Sequence, residues 1–173
     1  MSEGKRACGT CSLCCKLLGI TALDKPADTW CKHCKPGQNG CQIYADRPSA
    51  CRTFDCGWLS GLREFGDEWF PARCKMVLVP RNPTLSLSDG GIMVAVDPTF
   101  PNAWRREPYY SQLLKWAQVI TVDVRVRERV IQLSADGTER DRPLIRPTAA
   151  ERAEIYRELA EIHRKFGLDG SQD

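Results

Sequence analysis

Nine of the ten cysteines in this chain of 173 residues fall between Cys8 and Cys56; the tenth is Cys74. Thiols at such density can pair as disulfides, pack as small apolar side chains, or bind metal as thiolates. A disulfide framework belongs to an oxidising compartment. The basic start, Lys5-Arg6, runs into Cys8-Gly9-Thr10-Cys11 where a secretory signal would carry its apolar core. Neighbouring Cys14 and Cys15 also suit disulfides badly, because a bridge between adjacent residues is strained. Packing is a weak explanation too, since the flanking residues are largely Gly, Thr, Ser, Lys, His, Pro, Asn and Gln. Metal binding remains.

The spacing agrees with it. Cys8-x2-Cys11-x2-Cys14-Cys15 places four thiols within one short stretch, and Cys31-x2-Cys34 is a second C-x2-C unit. A two-residue gap lets the chain turn so that both sulfurs address one ion, and paired C-x2-C units are a zinc pattern. Cys8, Cys11 and Cys14 also match the first three positions of a bacterial ferredoxin run, without its closing Cys-Pro. Spacing alone leaves zinc and iron–sulfur both open. Cys41, Cys51 and Cys56 complete the candidate ligands, so there is one thiol more than two tetrahedral sites need. Arg47 and Arg52 flank the last of these and would offset thiolate charge. His33, between Cys31 and Cys34, is surplus among so many thiols. Cys74 enters an apolar run and reads as a buried structural thiol.

The order Cys8-x2-Cys11-x2-Cys14-Cys15, then Gly40-Cys41-x-Ile43-Tyr44-x2-Arg47-Pro48-x2-Cys51-Arg52-x-Phe54, resembles the YkgJ-type cysteine-cluster family. This CxxCxxCC family is described as zinc- or iron-chelating, and the resemblance covers roughly residues 8–58. It implies a metal site and does not imply a reaction. One relative, the flagellin lysine methylase, is thought to hold an iron–sulfur cluster in this domain. Cys31, Cys34 and Cys56 surround the shared core here.

The elements that must position the thiols are fewer. The chain is 42% hydrophobic and 27% charged, which is globular rather than disordered. Residues 1–56 carry eight Lys or Arg against five Asp or Glu, a bias suited to compensating thiolates; residues 57–173 balance at 17 of each. The net charge of +3 does not indicate nucleic acid. No apolar run approaches the length of a membrane span, and a cytoplasmic location is expected.

The fold expected is α+β: a metal-nucleated, irregular cysteine-rich module over residues 8–58, and a small α+β portion over 59–173, together one compact body. Met76–Val79, Leu85 with Leu87, Ile92–Val96, Ile120–Val126 and Val130–Leu133 read as strands of a small antiparallel sheet, with Gly90-Gly91 as a hairpin turn. Tyr109–Ala117 reads as a flanking helix. Thr148-x2-Glu151 is a capping box for a C-terminal helix with Ile155, Leu159, Ile162 and Phe166 on one face. Trp104-Arg105-Arg106 with Tyr109-Tyr110 reads as a helix entry with a packed tryptophan rather than a ligand-stacking patch. No P-loop, dinucleotide fingerprint or hydrolase signature is present, so whether the chain is an enzyme stays open. Three functions are consistent with the sequence: a zinc or iron–sulfur protein of open biological role, an iron–sulfur redox protein or enzyme, and a structural zinc module for a protein or nucleic-acid partner.

Overall fold

Two runs, Met76-Val77-Leu78-Val79 and Ile92-Met93-Val94-Ala95-Val96, are apolar on consecutive residues, which suits strands covered on both faces. The computed structural model bears this out. It describes residues 6–38, 40–60, 65–81 and 90–145, together with 148, 150, 151, 154, 157, 158 and 161. Residues 1–143 form one compact unit and 144–173 a second.

In the first unit, β3 (Met76–Pro80), β4 (Ile92–Val96), β5 (Val122–Val126), β6 (Arg129–Leu133) and β7 (Glu139–Pro143) form one five-stranded sheet in that order. The fold is α+β. The sheet is mixed, however, and this corrects the all-antiparallel expectation: β4 and β5 run parallel, with Ile92 opposite Val122 and Val94 opposite Val124. A parallel pair needs a long crossover. The turns after Val96, a 3-10 turn at Ala103–Arg105 and helix α4 (Tyr109–Ala117) supply it, returning the chain to the end from which β4 started. Gly91 lets β4 begin tight against its neighbour. Its φ is +95°, a Cβ there would meet the Thr121 carbonyl oxygen at 2.5 Å, and Ile92 N–H donates to that oxygen at 2.8 Å. Leu85 and Leu87 lie outside the described residues.

One sheet face presents Met76, Leu78, Val94, Val96, Val122 and Val124 to an aromatic core. Trp69, fully buried, packs 5.0 Å from Tyr109 and 4.9 Å from Trp116, and Phe65 meets Trp116 edge-on at 5.1 Å. Tyr109, Leu113 and Trp116 recur at helical spacing, so α4 turns one face inward. Trp104 is 1% exposed and belongs to this core.

The opposite face is also covered. Val77 and Ala95 pack against Leu13 and Leu17 of the cysteine-rich segment, with Cys11, Cys14, Phe54 and Cys56 around them. The sequence reads β5 as half-buried, with Asp123 and Arg125 turned to water. Both are buried. Each is neutralised by partners: Asp123 pairs with Arg81 and Arg142, and Arg125 with Asp28.

In the second unit, Thr148 N–H donates to Glu151 Oε2 at 2.6 Å and Glu151 N–H to Thr148 Oγ1 at 3.2 Å, the reciprocal bonds of a capping box. The described positions from Ala150 to Glu161 are helical. Ile155, Leu159, Ile162, His163 and Phe166 lie outside the described residues.

Candidate metal centre

Short turns, not long elements, hold the thiols. Cys11 N–H donates to Cys8 O at 2.8 Å across a turn that Gly9 permits with φ +53°. Helix α1 (Cys14–Leu17) follows directly, Leu17 buried beneath it. Cys34 N–H donates to Cys31 O at 2.9 Å, closing the second C-x2-C turn, and Cys31 N–H reaches back to Cys15 O at 3.0 Å. Strands β1 (Cys34–Lys35) and β2 (Gly40–Cys41) pair antiparallel and set Cys34 opposite Cys41. Helix α2 (Ser49–Arg52) starts just after Pro48 and carries Cys51.

Two buried or half-buried cations, Lys16 and Arg125, fasten this segment to the sheet. Lys16 Nζ donates to Asp97 Oδ1 at 2.6 Å and to Thr99 Oγ1 at 3.0 Å, just past β4. Arg125 grips both Asp28 carboxylate oxygens, at 2.8 and 3.0 Å, and donates to Leu17 O at 2.8 Å. Lys16, Asp97, Arg125 and Asp28 are largely buried, so the bonds among them act with little competition from water, whereas Thr99 is exposed.

All ten cysteines are free thiols, and Cys31, Cys34 and Cys74 are buried. Cys8, Cys11, Cys14 and Cys56 line one small cavity of about 30 Å³ walled by Phe54, Trp58 and Phe70. Burial pushes the thiols of Cys8, Cys11, Cys51 and Cys56 upward. Cys34 is pushed to about 11, again mainly by burial. Cys15 is raised by the hydrogen bond from its thiol to Cys14 and then by burial. These groups hold their protons at neutral pH until something replaces them.

Lys25 gave no signal in the sequence beyond its place in the charge count. It is 8% exposed and caps α1, its ammonium donating to the carbonyls of Lys16 (3.2 Å), Pro26 (3.0 Å) and Leu18. Burial lowers its pKa, opposed by its neighbours Cys31, Cys15, Asp28 and Cys14. Asp28 is already held by Arg125. A buried ammonium beside three thiols is costly when they are neutral and favourable when they are thiolates.

Arg47 stands near Cys8 and Cys51, its guanidinium 3.6 Å from the Tyr44 ring centre and its Nε donating to Tyr44 O at 2.9 Å. Arg52 is exposed at the end of α2. Cys74 is fully buried, its sulfur 3.3 Å from Met76 O and its thiol pushed to about 12 by burial, a packed and inert group.

Among the described residues, no three His, Cys, Asp or Glu side chains converge closely enough to hold one metal ion. The donor set therefore fits a thiolate-bound metal in chemical kind, with soft sulfur, a buried cation and a dry aromatic wall, while the side chains stand apart rather than closed on a point. Comparison with known protein families, curated proteins and solved structures finds no match.

Proposed function

We propose that residues 8–58 form a metal-binding module in which cysteine thiolates hold zinc or an iron–sulfur cluster, as the resemblance to the YkgJ-type family implies. Its chief support is Lys25: a buried ammonium among Cys14, Cys15 and Cys31 has its charge balanced once those thiols ionise. A bound metal would ionise them by taking the place of their protons. Arg47 adds a second compensating charge near Cys8 and Cys51. The C-x2-C turn at Cys31 and its cross-strand neighbour Cys41 favour zinc. The gap between the separated thiols and a closed centre makes closure part of binding, so metal uptake should order the module.

A second reading has its own support. The cavity lined by Cys8, Cys11, Cys14 and Cys56 is walled by apolar rings, and solvent exclusion of that kind suits an iron–sulfur cluster in a redox protein or an enzyme akin to the flagellin lysine methylase. A chain that keeps this many free thiols belongs in a reducing compartment such as the cytoplasm. No helix among the described residues is long and apolar enough to cross a membrane. A zinc-stabilised module would present its surface to a protein partner.

The test is metal and acid-labile sulfide content of protein purified without oxygen, with an absorbance scan. Zinc without sulfide or colour supports the zinc module; iron with matching sulfide supports the cluster. Folded protein that carries neither rejects both.

A further inference from the structure

We infer that Cys34 and Cys41 are a dithiol–disulfide pair: a low-molecular-weight disulfide oxidises them to a bond across the hairpin of β1 and β2, and excess thiol reopens it. The inference goes beyond the metal-binding reading and does not depend on it. It rests on where the backbone sets two cysteines, not on what they hold.

Cys34 stands directly opposite Cys41 in the antiparallel register, with Lys35 opposite Gly40. Gln42 N–H donates to His33 O at 2.8 Å, one residue outside the pair, while Cys34 N–H turns away to Cys31 O at 2.9 Å. Cys34 and Cys41 are therefore a non-hydrogen-bonded pair. In such pairs the facing Cα atoms lie about 4.5 Å apart and the side chains leave the same face of the ladder. A disulfide needs a Cα separation of roughly 4.4–6.8 Å. The register meets that requirement near its short end, so closing the bond takes side-chain rotation and no movement of either strand. The turn between the strands is fixed by its own bonds. Gln38 N–H donates to Lys35 O at 3.0 Å, and Gln42 Nε2 donates to Gln38 O at 3.2 Å and to Gly40 O at 3.1 Å.

Cys41 is half-buried and Cys34 is buried, so the first exchange falls to Cys41. Its thiolate attacks one sulfur of the small disulfide, breaking that S–S bond and releasing one thiol. The Cys34 thiolate then attacks the Cys41 sulfur of the mixed disulfide and expels the second thiol. The two protein thiols lose two electrons and two protons in all, and the small disulfide takes them up as two thiols. The rival partner is Cys15, whose thiol shares hydrogen bonds with those of Cys34 and Cys14. Cys15 lies on the short helix α1, where no strand register sets its Cα against that of Cys34. The bond across the hairpin takes up two of the candidate ligand thiols, so oxidation there opposes metal retention.

The test is treatment of the reduced full chain with oxidised glutathione in the presence of a chelator, followed by alkylation of the remaining thiols and peptide mass mapping. Most chains should lose two hydrogens and carry a Cys34–Cys41 linkage, and excess reduced glutathione should remove it. Cys34→Ser should stop the reaction at its first step, leaving a glutathione adduct on Cys41. Cys15→Ser should form the linkage as the wild type does. Unfolding in denaturant should abolish the preference for this pair, because the register that sets it is lost. A predominant Cys15–Cys34 linkage overturns the inference, as does a predominant bond within either C-x2-C unit or the absence of any intramolecular disulfide. The same pairing in denaturant overturns it as a property of the fold. Because the chelator withholds metal throughout, each of these failures leaves the metal-binding reading standing.

Discussion

Lys25 is the residue on which the chemistry of the site turns. On the proposed metal-bound reading, removing its charge would leave thiolates in a poorly hydrated place without that compensation. Lys25→Met should weaken metal retention roughly tenfold or more, measured by competition with a chelator, in the range typical of groups that support metal ligands. An unchanged affinity would mean that its carbonyl bonds at the end of α1 are its whole role. Cys74 is the opposite case. Cys74→Ser places a hydroxyl in a packed apolar site and should cost roughly 1–3 kcal/mol by denaturant unfolding, with metal content unchanged. A drop in metal content would add Cys74 to the ligands. At this scale the sequence was informative about sulfur and silent about charge. Cysteine spacing marks candidate ligands because the turn that presents them is local. Lys25 is made important by burial beneath α1, which no local pattern records. Arg47 and Arg52 look alike in the sequence; the structure sets Arg47 near Cys8 and Cys51 and leaves Arg52 exposed at the end of α2.

At the scale of elements, the ties between the cysteine-rich segment and the sheet set how firmly α1 is held. Asp97 follows β4 and receives Lys16. Burial raises its pKa, but the bonds from Lys16 and from Thr99 outweigh this and hold the carboxyl below its usual range. A lowered carboxylate pKa contributes stability that is full above the unfolded value, about 3.9, and is lost as pH falls through the folded one. Asp97→Asn should therefore destabilise the protein by roughly 1–2 kcal/mol at neutral pH. The difference from wild type should shrink in acid, below about pH 4. A difference independent of pH would assign the loss to packing. In the second unit, Thr148→Ala should lower helix content, at a cost of about 1 kcal/mol, by removing the bond to Glu151 N–H. The capping box was legible because its partners are three residues apart. The parallel pairing of β4 with β5 was not, because period-two patterning reports burial and says nothing of direction. Only the crossover through α4 determines it. Asp123 and Arg125 misled for a related reason: an ion pair across the sheet face buries residues that alternation assigns to water.

At the scale of the molecule, the first unit is a sheet covered on one face by an aromatic core and on the other by a cysteine-rich segment that lacks long elements of its own. The aromatic face has ordinary means of stability. The cysteine face has short turns, a small apolar cluster and the polar ties of Lys16 and Arg125, and metal would supply the rest. Chelation under reducing conditions should therefore loosen residues 8–58 while the sheet persists, seen as amide exchange that rises in the first segment before the strands. The most direct measurement is the native mass of anaerobically purified protein, which counts bound metal and displaced protons at once. The account predicts a mass above that of the bare chain by about two metal ions, or by a cluster, with roughly four thiol protons lost per centre. A folded chain at its bare mass, every thiol still protonated, would contradict it.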